Sequence, residues 1–164
     1  MSKTNNSEKM KIEINNLKES WNNWKNKDLK NDFSNQIIIE GSFEYDSVYY
    51  EYSLFEHSKN SNNTVSDFIC QCYLSIEDDP FDDWNDEEER LKFKHLEPKE
   101  FLESINNIFE DRDQKITKAK KELTYLINLN TSIDIVVIFE WWSWSTYIIE
   151  YEDKWQFVIL SLNW

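Results

Sequence analysis

Apolar residues recur along this chain in two rhythms, and the changes of rhythm mark its elements. After Glu8, the residues Met10, Ile14, Leu17, Trp21 and Trp24 return at intervals of four, three, four and three. That spacing predicts one face of an amphipathic helix, with Lys and Asn filling the other. Residues 1–7 read as a frayed start, and Asn31-Asp32 with Ser34-Asn35 as a loop. The rhythm then drops to two. Ile37, Ile39, Phe43 and Tyr45 alternate with Glu40, Ser42 and Glu44. Past a turn at Asp46-Ser47, Val48, Tyr50, Tyr52 and Leu54 alternate with Tyr49, Glu51 and Ser53. A polar loop from Lys59 to Thr64 leads to a third strand, expected near Val65 to Ile76. There Phe68, Cys70, Cys72 and Leu74 share a face against Asp67, Gln71 and Ser75. The three predict an antiparallel meander with one wet face.

The second half returns to the helical rhythm and then leaves it again. Asn85 is a good N-cap, and Asp86, Glu87 and Glu88 after it suit the positive end of a helix dipole. This predicts a short helix anchored by Leu91, Phe93 and Leu96. Pro98 opens a long helix carried by Phe101, Leu102, Ile105, Ile108, Phe109, Ile116, Ala119, Leu123 and Leu126. Its stripe thins from Glu110 to Gln114, where a kink is expected. Three strand patterns close the chain, over 133–142, 146–151 and 155–164. Both faces are apolar from 133 to 139 and from 157 to 160, so these strands should lie centrally, covered by helix on at least part of the second face. The expected architecture is a single α+β domain over residues 1–164. A helix leads, antiparallel strands follow, then a long central helix and C-terminal antiparallel strands. Together they form one sheet with the helices packed on one face.

Composition excludes several function classes. The chain has one glycine, Gly41, in 164 residues. Phosphate-cradling loops need several, so P-loop and dinucleotide-binding readings fall away, and no cofactor is expected. No run of 18 apolar residues is present, so no membrane span is expected. The N-terminal residues lack an apolar core of a signal peptide, which makes a cytoplasmic location the expectation. Cys70 and Cys72, two apart in an expected strand, are poorly placed for a disulfide and read as small buried apolar groups, with no metal site.

Charge changes the picture most. The net charge is −14, and the stretch from Ile76 to Arg90 holds nine carboxylates against one arginine, a net of eight negative charges. Phe81 and Trp84 stand among the acids. Three readings of this stretch are open. It is a solvated acidic loop, or an irregular cation site on Asp78, Asp79, Asp82, Asp83 and Asp86, though without the glycine and spacing of an EF-hand. Or it is a contact surface for a basic partner. Crowded carboxylates repel one another, which costs stability. Aromatic anchors inside such a patch gain nothing in solvent but suit a contact centre. On the third reading Asp78, Asp79, Phe81, Asp82, Asp83, Trp84, Asp86, Glu87 and Glu88 form the partner-binding set, joined by Trp141, Trp142 and Trp144.

Catalytic signals are sparse, and no catalytic residue is assigned. The two histidines, His57 and His95, stand alone in sequence, and no Gly-x-Ser-x-Gly elbow occurs. The one suggestive carboxylate is Glu140, beside Trp141 and Trp142 at a strand end, with Glu150 as its candidate partner in a hydrolase.

In its acidity, size and α+β character the chain resembles the bacterial immunity proteins of polymorphic or contact-dependent toxin systems. Glu77 to Glu89 and Glu140-Trp-Trp-Ser-Trp144 are the residues that carry the resemblance, which rests on general character over the whole chain and matches no family motif. It implies a non-enzymatic, stoichiometric inhibitor that neutralises a basic protein toxin, typically a nuclease, without binding nucleic acid or membrane itself. Phage anti-defence proteins and DNA mimics share this character. A mimic, however, would spread its carboxylates along a long face at the phosphate spacing of a duplex.

Overall fold

The structure is a computed structural model, and it describes residues 9–26, 36–59, 63–76 and 91–163, with residues 36–38 described in their backbone only. Six strands, β1 (Gln36–Tyr45), β2 (Val48–Ser58), β3 (Leu91–His95), β4 (Asp134–Trp141), β5 (Trp144–Glu150) and β6 (Lys154–Asn163), make one sheet in the order β1-β2-β6-β5-β4-β3. Every pairing in it is antiparallel. The described helices are α1 (Ile14–Trp24), α2 (Val65–Ser75), α3 (Pro98–Ile108) and α4 (Gln114–Leu126). The class is α+β, as the pattern predicts.

The helices cover both faces of the sheet, where packing on one face was expected. The reason lies in the period of two. Val136, Ile138, Ile148, Phe157 and Ile159 pack with Leu17 and Trp21 of α1 and Phe68, Ile69, Cys72 and Tyr73 of α2. Their alternates Ile135, Val137, Tyr147, Ile149, Val158 and Leu160 pack with Phe101 and Ile105 of α3 and Ile116, Ala119 and Leu123 of α4. Burial of each such large side chain is worth roughly 1.5–3 kcal/mol, so over the central strands neither face is left to water.

Residues 65–75 form α2 and not the expected third strand. Thr64 and Asp67 make a capping box, in which the Thr64 hydroxyl accepts from Asp67 N–H (3.2 Å) and the Asp67 carboxylate accepts from Thr64 N–H (3.0 Å). The expected meander is therefore a hairpin, and the second neighbour of β2 is β6. Trp24 Nε1 donates to the Asp67 carboxylate at 3.0 Å and ties α1 to α2. Cys70 and Cys72 are buried and unbridged as expected, but on a helix.

The long helix is two helices. The chain breaks at Phe109 to Asp113, with Phe109 fully buried as a plug in the corner. Lys120, buried in α4, donates to Asp111 (2.6 Å) and Asn106 (3.0 Å) and so fixes α3 against α4. Leu91 and Phe93 belong to the edge strand β3, not to a short helix, and the region near Asn85 lies outside the described residues. In β3 the register slips between Leu91 and Lys94, and Phe93 takes a positive φ of 45°. Met10 and Ile12 are buried ahead of α1, which begins at Ile14.

The hairpin β1–β2 turns at Asp46-Ser47, with φ of 53° and 63°. Two successive left-handed residues are the geometry that matches strand twist in a two-residue turn. The one glycine sits beside this hairpin's centre. Gly41 pairs with Tyr52, and a Cβ on it would lie 2.2 Å from the Tyr52 ring. The ring passes over the bare backbone, and its hydroxyl reaches Glu122 of α4 at 2.8 Å.

Candidate functional site

Among the described residues, helices α1 and α2 do not cover the whole of their face. Beyond them β1, β2 and β6 leave an open concavity of about 760 Å³, lined by Glu40 and Ser42 of β1, Glu51 and Ser53 of β2, Ser161 of β6 and Trp144 of β5, among others. Alternation puts Glu44 on the same face as Glu40 and Ser42. Tyr49, opposite Glu44, is 43% exposed and donates from its hydroxyl to Ser42 at 3.2 Å. The lining holds two carboxylates and no lysine or arginine among the described residues. Ile76, at the end of α2, lies on the rim, and the next residue is Glu77, first of the acidic run.

The candidate residues Asp78, Asp79, Phe81, Asp82, Asp83, Trp84, Asp86, Glu87 and Glu88 lie outside the described residues, as does the possible cation site among them. The three tryptophans do not form one surface. Trp144 lines the acidic concavity and packs on Phe139 (ring centroids 4.5 Å apart) and Tyr73 (6.2 Å), closing the core at the end of α2. Trp141 and Trp142, 38% and 54% exposed, line a groove of about 540 Å³ next to α3 on the other side of the sheet. Glu140, Glu100, Glu103, Ser104, Lys92 and Lys94 share that groove. Lys94 pairs with Glu100 at 3.6 Å, and the Ser104 hydroxyl bonds Tyr147 at 2.5 Å.

The pairing of Glu140 with Glu150 fails on geometry. Glu140 stands opposite Ser145 and Glu150 opposite Asp134, so the two occupy opposite ends of β5. Five residues of strand separate them by roughly 16 Å, beyond the ~5–9.5 Å that glycoside hydrolysis uses. Glu150 is instead held by Lys59 at 3.2 Å.

Both histidines have surroundings that sequence could not show. His57 is buried in a cluster of three near-parallel rings, with centroids 5.5 Å from Phe68 and 6.2 Å from Trp155, which themselves lie 6.2 Å apart. Burial holds its imidazole below the usual value. His95 Nδ1 lies 2.8 Å from Asp134 Oδ1. That is the geometry of an oriented base, but Met10 N–H takes the other oxygen at 2.8 Å. Asp134 thereby joins the segment before α1 to β3 and β4. Among the described residues no group of three His, Cys, Asp or Glu side chains is placed to hold a metal ion, and no helix is long and apolar enough to cross a membrane.

The glutamates of β1 and β2 were legible as the wet side of two strands, yet their assembly into one concavity was not. It depends on β2 pairing with β6 across most of the chain. No family model, curated protein or solved structure matches this chain, so its chemistry is read from these surfaces.

Proposed function

We propose that this protein is a stoichiometric inhibitor that captures a basic protein, in the manner of an immunity protein neutralising a cognate toxin with nuclease activity. The observation that carries this reading is the continuity of acid. The run with nine carboxylates follows Ile76 in sequence, and Ile76 lies on the rim of a concavity to which the described residues contribute Glu40 and Glu51 and no lysine or arginine. In the proposed mechanism Asp78, Asp79, Asp82, Asp83, Asp86 and Glu87 engage the Lys and Arg with which a nuclease would hold phosphates. Phe81 and Trp84 anchor the contact, and the strand glutamates extend it. Like-signed charge over such an area steers a basic partner and raises its association rate.

The test is a titration against a purified basic nuclease domain, taken from the adjacent gene where that gene encodes one. The expected result is a one-to-one complex that weakens with salt, inhibition of the nuclease, and association slowed roughly tenfold or more in the triple variant Asp82→Asn, Asp83→Asn, Asp86→Asn. Unchanged association by the triple variant removes those residues from the site. A complex indifferent to salt removes the electrostatic mechanism.

One observation favours a second reading. The groove that holds Trp141 and Trp142 brings Glu140 together with Glu100 and Glu103, a carboxylate set suited to a hydrolase whose tryptophans stack a sugar ring. Glu140→Gln would then abolish turnover of a glycan without moving the melting temperature.

A further inference from the structure

The edge strand β1 carries information that its side chains alone do not. The two-residue turn at Asp46-Ser47 makes Tyr45 and Val48 a pair that exchanges both backbone hydrogen bonds. Hydrogen-bonded and non-hydrogen-bonded pairs alternate from there, and the register runs unbroken from Tyr45 back to Ile39. Gly41, Phe43 and Tyr45 therefore turn their N–H and C=O groups toward β2. Glu40, Ser42 and Glu44 turn theirs outward, where the sheet has no further strand among the described residues. These same three residues place their side chains on the face of the acidic concavity. Backbone donors and acceptors, and carboxylates at every fourth position, are thus presented together along one edge.

Edges are usually blunted by charged side chains (Lys above all), Pro, shortness or a bulge, and in β1 the one irregularity lies at its start, between Ile37 and Ile39, ahead of the regular stretch that ends at Tyr45. β1 has ten residues and neither Lys nor Pro. Its glutamates select among occupants. In antiparallel self-pairing centred on Ser42, Glu40 would oppose Glu44 of a second copy twice over, between chains of charge −14 each. A strand with Lys or Arg at alternate positions meets opposite charge at Glu40 and Glu44 and projects its cations over Glu51. We infer that β1 is a docking edge for an extended basic segment of the partner, which adds to the sheet as a seventh strand through the outward backbone groups of Glu40, Ser42 and Glu44. Main-chain hydrogen bonds supply the attachment and alternate side chains the selection. This rests on the reading of the protein as a captor of a basic protein, and it adds to the acidic run a second element of the contact, on the sheet itself.

The probe is a ten-residue capped peptide alternating Lys with Val, against a counterpart alternating Glu with Val. The expected result is salt-sensitive binding of the Lys peptide only, by fluorescence anisotropy. Amide exchange at Glu40, Ser42 and Glu44 should slow in its presence, by nuclear magnetic resonance. Ser42→Pro removes an outward N–H that the β1–β2 ladder does not use, a position where an edge strand tolerates proline. It should fold and bind at least tenfold more weakly. The double variant Glu40→Lys, Glu44→Lys leaves the ladder intact and should reverse the preference toward the Glu peptide.

Strand addition is overturned if the Lys peptide fails to bind, if Ser42→Pro binds it equally, or if binding leaves the three amides unprotected. A dimer of the wild type that Ser42→Pro dissolves, seen by sedimentation, overturns the basic occupant in favour of a second copy. Capture of a basic nuclease domain with equal affinity by wild type and Ser42→Pro defeats strand addition and leaves the inhibitor reading standing. Absence of any salt-sensitive capture of basic protein defeats the inhibitor reading, whatever the peptide does.

Discussion

Replacing Gly41 by alanine tests how the β1–β2 hairpin is joined to α4. The new Cβ would stand 2.2 Å from the Tyr52 ring, far inside contact distance, so the ring must leave its place. Two interactions leave with it. The Tyr52 hydroxyl gives up its bond to the Glu122 carboxylate, 2.8 Å long, worth ~1.5–3 kcal/mol for a bond to a charged group. The edge-to-face contact with Phe109, at 6.2 Å between centroids, adds ~0.5–1.5 kcal/mol. The expected loss is ~2–4 kcal/mol, or roughly 5–15 °C in Tm for a chain of this size. The assay is a double-mutant cycle with Tyr52→Ala, followed by thermal and urea unfolding. With the ring absent, Gly41→Ala is freed of the three closest contacts, all of them ring atoms, and the backbone there is not left-handed. It should then stabilise by about 0.4–1 kcal/mol, because alanine restricts the unfolded chain. The sign of the substitution should therefore reverse between the two backgrounds. If Gly41→Ala costs the same in both, the ring is not what requires the glycine, and the reasoning fails.

Two further predictions concern the other face of the sheet. Burial depresses the pKa of His57, so the fold prefers its neutral form. In the unfolded chain the group takes up a proton as pH falls through about 6.5, and the fold resists it. The contribution of His57 to stability is therefore complete above that pH and declines below it. Tm measured from pH 7 to pH 5 should drop more for the wild type than for His57→Phe, which keeps a ring in the cluster with Phe68 and Trp155; equal slopes would refute the assignment. Thr64→Ala removes one half of the α2 capping box and should cost ~1 kcal/mol in urea unfolding, whereas a change below ~0.3 kcal/mol would mean that packing alone sets the start of α2.

The mistaken strand at 65–76 shows why burial pattern misleads where burial is complete. Ser66 and every residue from Phe68 to Tyr73 are buried in α2. A helix enclosed on nearly all sides has no wet face to set a period, so an apparent alternation of Phe68, Cys70, Cys72 and Leu74 carries no weight. The decisive signal was local. Thr64-x-x-Asp67 is a capping box readable from sequence, and it outranks a four-residue alternation. The break between α3 and α4 was half visible in the same way. The apolar stripe thins at Glu110 to Gln114, as a kink would require. Only the structure shows Phe109 turned into the corner and Lys120 bridging to Asp111, interactions that need two helices to have folded back on each other. By contrast β4, β5 and β6 were legible almost residue by residue, because strands at the centre of a sheet must be apolar on both faces and few other elements are.

The candidate site divides along the same line between local and non-local information. Charge density needs no fold to be read, and so the acidic run stood out at once. Whether acid on one element meets acid on another is a question of strand order, which periodicity cannot answer. Glu40 and Ser42 come to lie beside Ser161 only because β2 is the strand between β1 and β6, a pairing that closes over 100 residues of chain. Outward polarity at the β1 edge is subtler still. A shift of one residue at the Asp46-Ser47 turn would send the backbone groups of Glu40, Ser42 and Glu44 into the ladder with β2 and put those of Gly41 and Phe43 at the edge. The same shift would move the carboxylates to the side that α4 covers. Burying Glu40 and Glu44 against Tyr52 and Phe109 would cost several kcal/mol per charge, so the fold is held in the one register that keeps the acids out of the core and the backbone groups of Glu40, Ser42 and Glu44 out of the β1–β2 ladder.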